Sequence, residues 1–209
     1  MKRTGELPAA RVSTIVARYW PWLAVLAALG LFLSIALRQL DLPGFYYDEG
    51  FDLTPMLALM RGEQPELLRG IGLGVGGMTL PLMRMDYLGS ITGYLTLPFM
   101  AVFGPGVAAA RLQPIFFSCV TLVLAFVAGR RWFGDRVAAL GVLLLAANPS
   151  FIWFSRQGIT VTSTMTVFSL ASLIALDAAR LRLGAGRSAR IALLAAGVFA
   201  GFGLWAKFV

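Results

Sequence analysis

WPWLAVLAALGLFLSIAL, residues 20–37, runs for 18 positions without a charge. A helix crossing a hydrocarbon core about 30 Å thick needs roughly 20 predominantly apolar residues. The run is preceded by Lys2, Arg3, Arg11 and Arg18 and followed by Arg38-Gln39-Leu40-Asp41. A cleaved secretory leader has a shorter apolar core and a small-residue cleavage site. The stretch therefore predicts a retained membrane helix. Four further apolar runs follow, at 112–128, 137–154, 159–179 and 191–206. The expected fold is an all-α integral membrane protein, a polytopic helical bundle with five spans.

Composition agrees. Hydrophobic residues make up 58% of the 209 positions and charged residues 13%, against about 25% charged in a soluble domain. Mean hydropathy is +0.79. The chain has no histidine, which excludes Ser-His-Asp triads and HExxH zinc sites. Its single cysteine, Cys119, lies inside an apolar run and reads as a packing residue. Any chemistry rests on carboxylates, Arg, Lys, Tyr or hydroxyls. The net charge of +8 comes from basic residues in short loops between apolar runs. No basic-aromatic stripe accompanies it, so no nucleic acid is expected as a partner.

Residues 38–86 form a long polar stretch carrying seven of the ten acids: Asp41, Asp48, Glu49, Asp52, Glu63, Glu66 and Asp86. Within it, residues 51–60 predict a short interfacial helix ended by Gly62 and Pro65. Residues 87–103 are ambiguous, being apolar but dotted with glycine and threonine and containing Pro98. Charge counting decides between two arrangements. If 87–103 does not cross, eleven of the eighteen Lys and Arg fall on the side of the N-terminus, in the N-terminal segment and the loops around Arg130 and Arg182. If it crosses, that side holds seven. The positive-inside rule favours the first. The N-terminus is then cytoplasmic, 87–103 is interfacial or re-entrant, and Asp48, Arg156 and Lys207 share the outer face.

Four local features invite a functional reading. Phe45-Tyr46-Tyr47-Asp48-Glu49-Gly50 sets an acidic pair just outside the first helix. Asp48 is either an N-cap for the 51–60 helix or a base that takes a proton from an acceptor hydroxyl, and the roles are compatible. Arg156 stands alone between two spans, following Asn148-Pro149 and Phe154-Ser155. It is an interfacial anchor or a guanidinium that grips a phosphate. Lys207 ends the last run as a snorkelling residue or a second phosphate contact. Gly70-Ile71-Gly72-Leu73-Gly74-Val75-Gly76-Gly77 lacks the Gly-Lys-Ser/Thr of a phosphate loop and reads as a flexible loop. Gly197 and Gly201 form a small-xxx-small pair expected to pack helices closely.

Several pieces occur in an order that resembles the integral-membrane glycosyltransferases using lipid-linked sugars. The likeness is to the protein O-mannosyltransferase and lipid A aminoarabinose-transferase superfamily, with its GT-C fold. The pieces are Tyr47-Asp48-Glu49-Gly50, Met60-Arg61-Gly62-Glu63-Gln64-Pro65, Asp86-Tyr87-Leu88-Gly89 with Leu97-Pro98, Ala110-Arg111-Leu112, Gly129-Arg130-Arg131-Trp132-Phe133-Gly134, Phe154-Ser155-Arg156 and Gly201-Phe202-Gly203-Leu204-Trp205-Ala206-Lys207. The resemblance implies Asp48 as catalytic base, supported by Glu49. Arg156, Lys207, Asp86, Tyr87 and Tyr47 would bind substrate or lipid phosphate. The donor would be a polyprenyl-phosphate sugar, transferred with inversion to a hydroxyl of a protein, glycan or lipid. No resident cofactor follows, a divalent cation being the one ion left open. Many members carry a further acid after the Ser-Arg turn, whereas this chain has Ile159-Thr160-Val161-Thr162-Ser163-Thr164. Relatives with this fold have ten or more membrane helices, so five spans are expected to be the N-terminal part of the enzyme and inactive alone. The alternatives are a membrane transporter or permease fragment and a non-catalytic scaffold, and the lack of mid-span charges speaks against the first.

Overall fold

The computed structural model describes residues 9–42, 44–157 and 161–207, with side chains before Tyr19 and at 51, 52, 161 and 162 excluded. The basic side chains of Lys2, Arg3, Arg11 and Arg18, and the start of the 159–179 run, therefore lie outside the described residues. The helical bundle expected from the apolar runs is what the chain forms. In order the elements are α1 (Ala9–Ala36), α2 (Tyr47–Met60), β1 (Gly72–Val75), β2 (Met78–Pro81), β3 (Met83–Met85), β4 (Leu88–Gly89), α3 (Ile91–Phe103), α4 (Val107–Phe133), α5 (Asp135–Ala147), α6 (Pro149–Arg156), α7 (Val161–Gly184) and α8 (Arg190–Ala206).

Three described helices, α1, α4 and α7, are each long and apolar enough to cross a membrane. The 137–154 run is not one straight span. It breaks into α5 and α6, bent by 59°. Pro149 supplies no N–H, and Asn148 turns extended at φ −70°, ψ 121°. The Asn148 side chain then accepts the Phe151 N–H at 2.9 Å, so a second short helix starts where the first stops. Helix α8 is apolar but only 17 residues long. Helix α3, at 13 residues, extends about 20 Å at 1.5 Å per residue, short of a straight crossing.

The main core joins α1, α4 and α5 through Val25, Ala28 and Phe32, Leu122 and Phe126, and Ala138 and Val142. Helices α4 and α7 add hydroxyl and amide contacts, Gln113 to Thr164 at 3.3 Å and Ser118 to Ser163 at 3.2 Å. Interhelical polar contacts of this sort suit an apolar medium that offers no competing water. At the far end of these helices Asp177 of α7 pairs with Arg131 of α4 at 2.5 Å. The glycine expectation for α8 needs correction. A side chain at Gly197 or Gly201 would meet nothing within 4 Å, whereas one at Gly203 would touch Phe168 of α7 at 3.5 Å. The close-packing glycine is Gly203, one helical line from buried Ala196.

The stretch after α1 is not a loose loop. Two antiparallel hairpins, β1–β2 and β3–β4, occupy the region expected to be irregular. Gly76 and Gly77 take φ of +57° and +86° at the first hairpin's tip, as a two-residue primed turn requires. Trp205 at the end of α8 donates its indole N–H to the Leu82 carbonyl at 2.8 Å. Gly89 lies so close to Trp205 that a Cβ there would overlap the tryptophan backbone and ring. Lys207 pairs antiparallel with Leu88. The last helix thus clasps the second hairpin.

Candidate functional site

The α1–α2 link is held by two arginines. Arg111, in the first turns of α4, uses all five of its N–H donors. Nε and Nη2 meet the two Glu49 carboxylate oxygens at 3.0 and 3.1 Å. Nη1 donates to the carbonyls of Leu40 at 2.6 Å and Leu42 at 3.3 Å. Nη2 also donates to Gly44 at 3.0 Å. The Arg111 and Glu49 side chains are 5% and 1% exposed. The desolvation of this ion pair is offset only because nearly every polar atom in it is bonded. Arg156, ending α6, donates through Nη2 to the carbonyls of Arg38 at 2.6 Å and Gln39 at 2.9 Å. Those carbonyls close α1, where Gln39 sits at φ +47°, and a cation there complements the helix dipole.

Helix α2 begins at Tyr47, earlier than the expected 51. Glu49, not Asp48, serves its N-terminus, since Oε2 accepts the Tyr46 N–H at 2.8 Å. The capping expectation for Asp48 is corrected in that sense. The buried Glu49 is anchored to the protein at both oxygens. Asp48, one position earlier in the first turn, is half-buried. Seven residues, two helical turns, separate it from Pro55, so both lie on one line of α2. Gly62 ends the helix at φ +72°, as expected.

Further along α2, Thr54, Pro55 and Ala58 face a cavity of about 490 Å³ between the helix and the segment that follows it. Thr54, Pro55, Glu66, Arg69, Met83 and Arg84 contribute to its lining. Arg84 is buried and donates from Nε to the Gly89 carbonyl at 3.2 Å. Arg69 pairs with Asp86 at 2.9 Å in a largely exposed contact, the kind that contributes little to stability. Asp86 and exposed Tyr87 form the turn of the second hairpin, and the Lys207–Leu88 pairing sets Lys207 across from that turn. Tyr94 of α3 donates its hydroxyl to the Pro81 carbonyl at 2.7 Å, and burial pushes the phenol pKa up. The donor therefore stays protonated across the physiological range.

The residues singled out in the sequence gather at one end of the bundle. One group is Asp48 and Glu49 with Arg156, joined through residues 38–49. The other is Asp86, Tyr87 and Lys207, at the second hairpin. Tyr47 is exposed beside Asp48. Sequence reasoning missed the part played by Arg111, although an arginine in the first turns of an apolar helix is itself a signal. Among the described residues, no three His, Cys, Asp or Glu side chains gather as a metal ion would need.

Fold and site together define a polytopic helical membrane protein with a carboxylate and several cations at one end of its bundle. The sequence profile of the dolichyl-phosphate-mannose-protein mannosyltransferase family matches residues 90–209, more than half of the chain. The chain belongs to that family, and it is a membrane glycosyltransferase of mannosyltransferase-like type. Membership sets aside the permease reading. The matched segment contains Arg111, Arg156 and Lys207, while Asp48 and Glu49 precede it. No curated protein and no solved structure gives a match.

Proposed function

We infer that the protein moves a sugar from a polyprenyl-phosphate donor to an acceptor hydroxyl on a protein, glycan or lipid, with Asp48 as base. The acceptor oxygen attacks the anomeric carbon from the side opposite the phosphate. The bond between that carbon and the phosphate oxygen breaks, Asp48 takes the hydroxyl proton, and polyprenyl phosphate leaves. The sugar's configuration inverts. Departing phosphate carries growing negative charge, which fixed cations stabilise in a site shielded from water. Lys207 and Arg156 are the cations assigned to that role, since Arg111, also in the matched segment, is committed to Glu49. Asp86, Tyr87 and Tyr47 are assigned to substrate contact, and Glu49 to holding the Asp48 turn.

The observation that carries the reading is the Arg111 clamp, which fixes the turn bearing Asp48 to the bundle end shared by Arg156 and Lys207. It also supports the topology proposed from charge. The ends of α1, α6 and α8 and the start of α4 meet there, as they would if α3 does not cross. The eleven cations on the N-terminal side then put this end outside the cytoplasm, at the plasma or inner membrane.

The test is transfer by the full-length protein in proteoliposomes, offered either a polyprenyl-phosphate sugar or the matching nucleotide sugar. Transfer from the lipid donor alone, with an inverted anomeric centre in the product, is expected. Equal use of the nucleotide sugar, or retained configuration, would contradict the assignment.

A further inference from the structure

The β1–β2 hairpin is amphipathic with its faces reversed. Its register pairs Leu73 with Leu80 and Val75 with Met78 on one face, and Gly72 with Pro81 and Gly74 with Thr79 on the other. Alternation extends the first face to Ile71 and Leu82 at the base. That face is therefore entirely apolar. Its β1 half is turned away from the protein, since Ile71, Leu73 and Val75 are 43%, 55% and 51% exposed, while Met78, Leu80 and Leu82 opposite are half-buried. The other face turns inward towards its base, where Pro81 is buried and Gly72 and Thr79 are half-buried, while Gly74 near the tip is exposed. A Cβ on Gly72 would press on Leu67 at 3.3 Å. Along the β2 edge, the Gln64 amide pairs with both the backbone N–H and the carbonyl of Thr79 at 3.0 and 3.1 Å, fixing the ribbon to the preceding segment. Pro81 is buried, and its carbonyl accepts the Tyr94 hydroxyl. A hairpin surrounded by water would turn its apolar face the other way.

We propose that the outward face of this hairpin is a membrane-docking surface, occupied by the lipid of the bilayer that the helices cross. Two observations choose lipid. From residue 70 to residue 83 there is no charged side chain, although this region lies within the most acidic part of the chain. The base of the face is tied to the last turn of an apolar helix by the bond from Trp205 to Leu82, so the hairpin starts where α8 meets the bilayer boundary. An uncharged apolar ribbon at that level partitions into the headgroup and upper acyl region, as interfacial helices do with their apolar faces. Docking there keeps the cavity under α2 level with the membrane surface. The proposal stands independently of the transfer chemistry.

The experiment labels the full chain, in nanodiscs, with an environment-sensitive fluorophore at Leu73→Cys or Val75→Cys after Cys119→Ala, and at Glu63→Cys as reference. Both hairpin positions are half exposed, so the labels leave the packing intact. Lipids with a shallow nitroxide quencher are expected to quench the Leu73 and Val75 labels several-fold more than the Glu63 label, and aqueous iodide the reverse. Iodide reaching Leu73 as readily as Glu63 would overturn the proposal by putting the face in water. Protection of Leu73 from both quenchers would overturn it by showing that protein, another segment or a second copy, covers the face.

Discussion

Asp48 and Glu49 are neighbours of the same chemical type, and the fold separates their roles. Glu49 is buried against Arg111 and the Tyr46 N–H, while Asp48 keeps partial exposure on the line of Pro55. The pair was legible in the sequence as an acidic motif, and the resemblance cast Glu49 as the support of Asp48, but the way Glu49 is held was not legible. It depends on an arginine 62 residues further along the chain. Removing one partner of a buried ion pair leaves a charge without compensation, at a cost of about 3–5 kcal/mol. Arg111→Met is therefore expected to lower thermal stability in detergent by that order. The double variant Glu49→Gln with Arg111→Met should lose clearly less than the sum of the two single changes, and simple additivity would contradict the coupling. Gly89→Ala forces a methyl group into Trp205, so it should cost about 1–3 kcal/mol as an overpacking change, read by the same unfolding measurement.

Among the elements, run length found α1, α4 and α7, each long and apolar enough to cross a membrane, because burial in lipid demands a simple length of apolar sequence. It failed where local chemistry interrupts the run. Asn148-Pro149 was readable as a helix stop, yet the restart of a helix at Pro149 follows from the Asn148 cap. Asn148→Ala should cost about 1 kcal/mol in thermal unfolding, and no loss would deny the cap a role. The first hairpin was hidden by its glycines, which read as flexibility. The signal beneath was period two, with Ile71, Leu73 and Val75 alternating with Gly72 and Gly74. The clasp by α8 could not be read at all, since it joins residues more than a hundred positions apart. Trp205→Phe removes one hydrogen bond worth about 1 kcal/mol. The Leu82 carbonyl keeps the Ser90 N–H as a partner, so a much larger loss would show that the indole does more than bond it.

For the whole molecule, the apolar runs and the ordered motifs announced a helical membrane glycosyltransferase, and the family match over 90–209 agrees. Contacts now give the charge count a geometric counterpart, with Asp48, Arg156 and Lys207 at one end of the bundle. Impermeant thiol reagents applied to intact cells should label Asp48→Cys and Arg156→Cys from the same, outer side, and opposite accessibility would refute the topology. The central claim is that Asp48 takes the acceptor's proton. Its most direct test is sugar transfer from a polyprenyl-phosphate donor by the full-length protein carrying Asp48→Asn, which keeps the shape of the side chain and removes its basicity. The account predicts that transfer falls to background while expression, membrane insertion and thermal stability match the parent. Turnover at the parent's rate would contradict it.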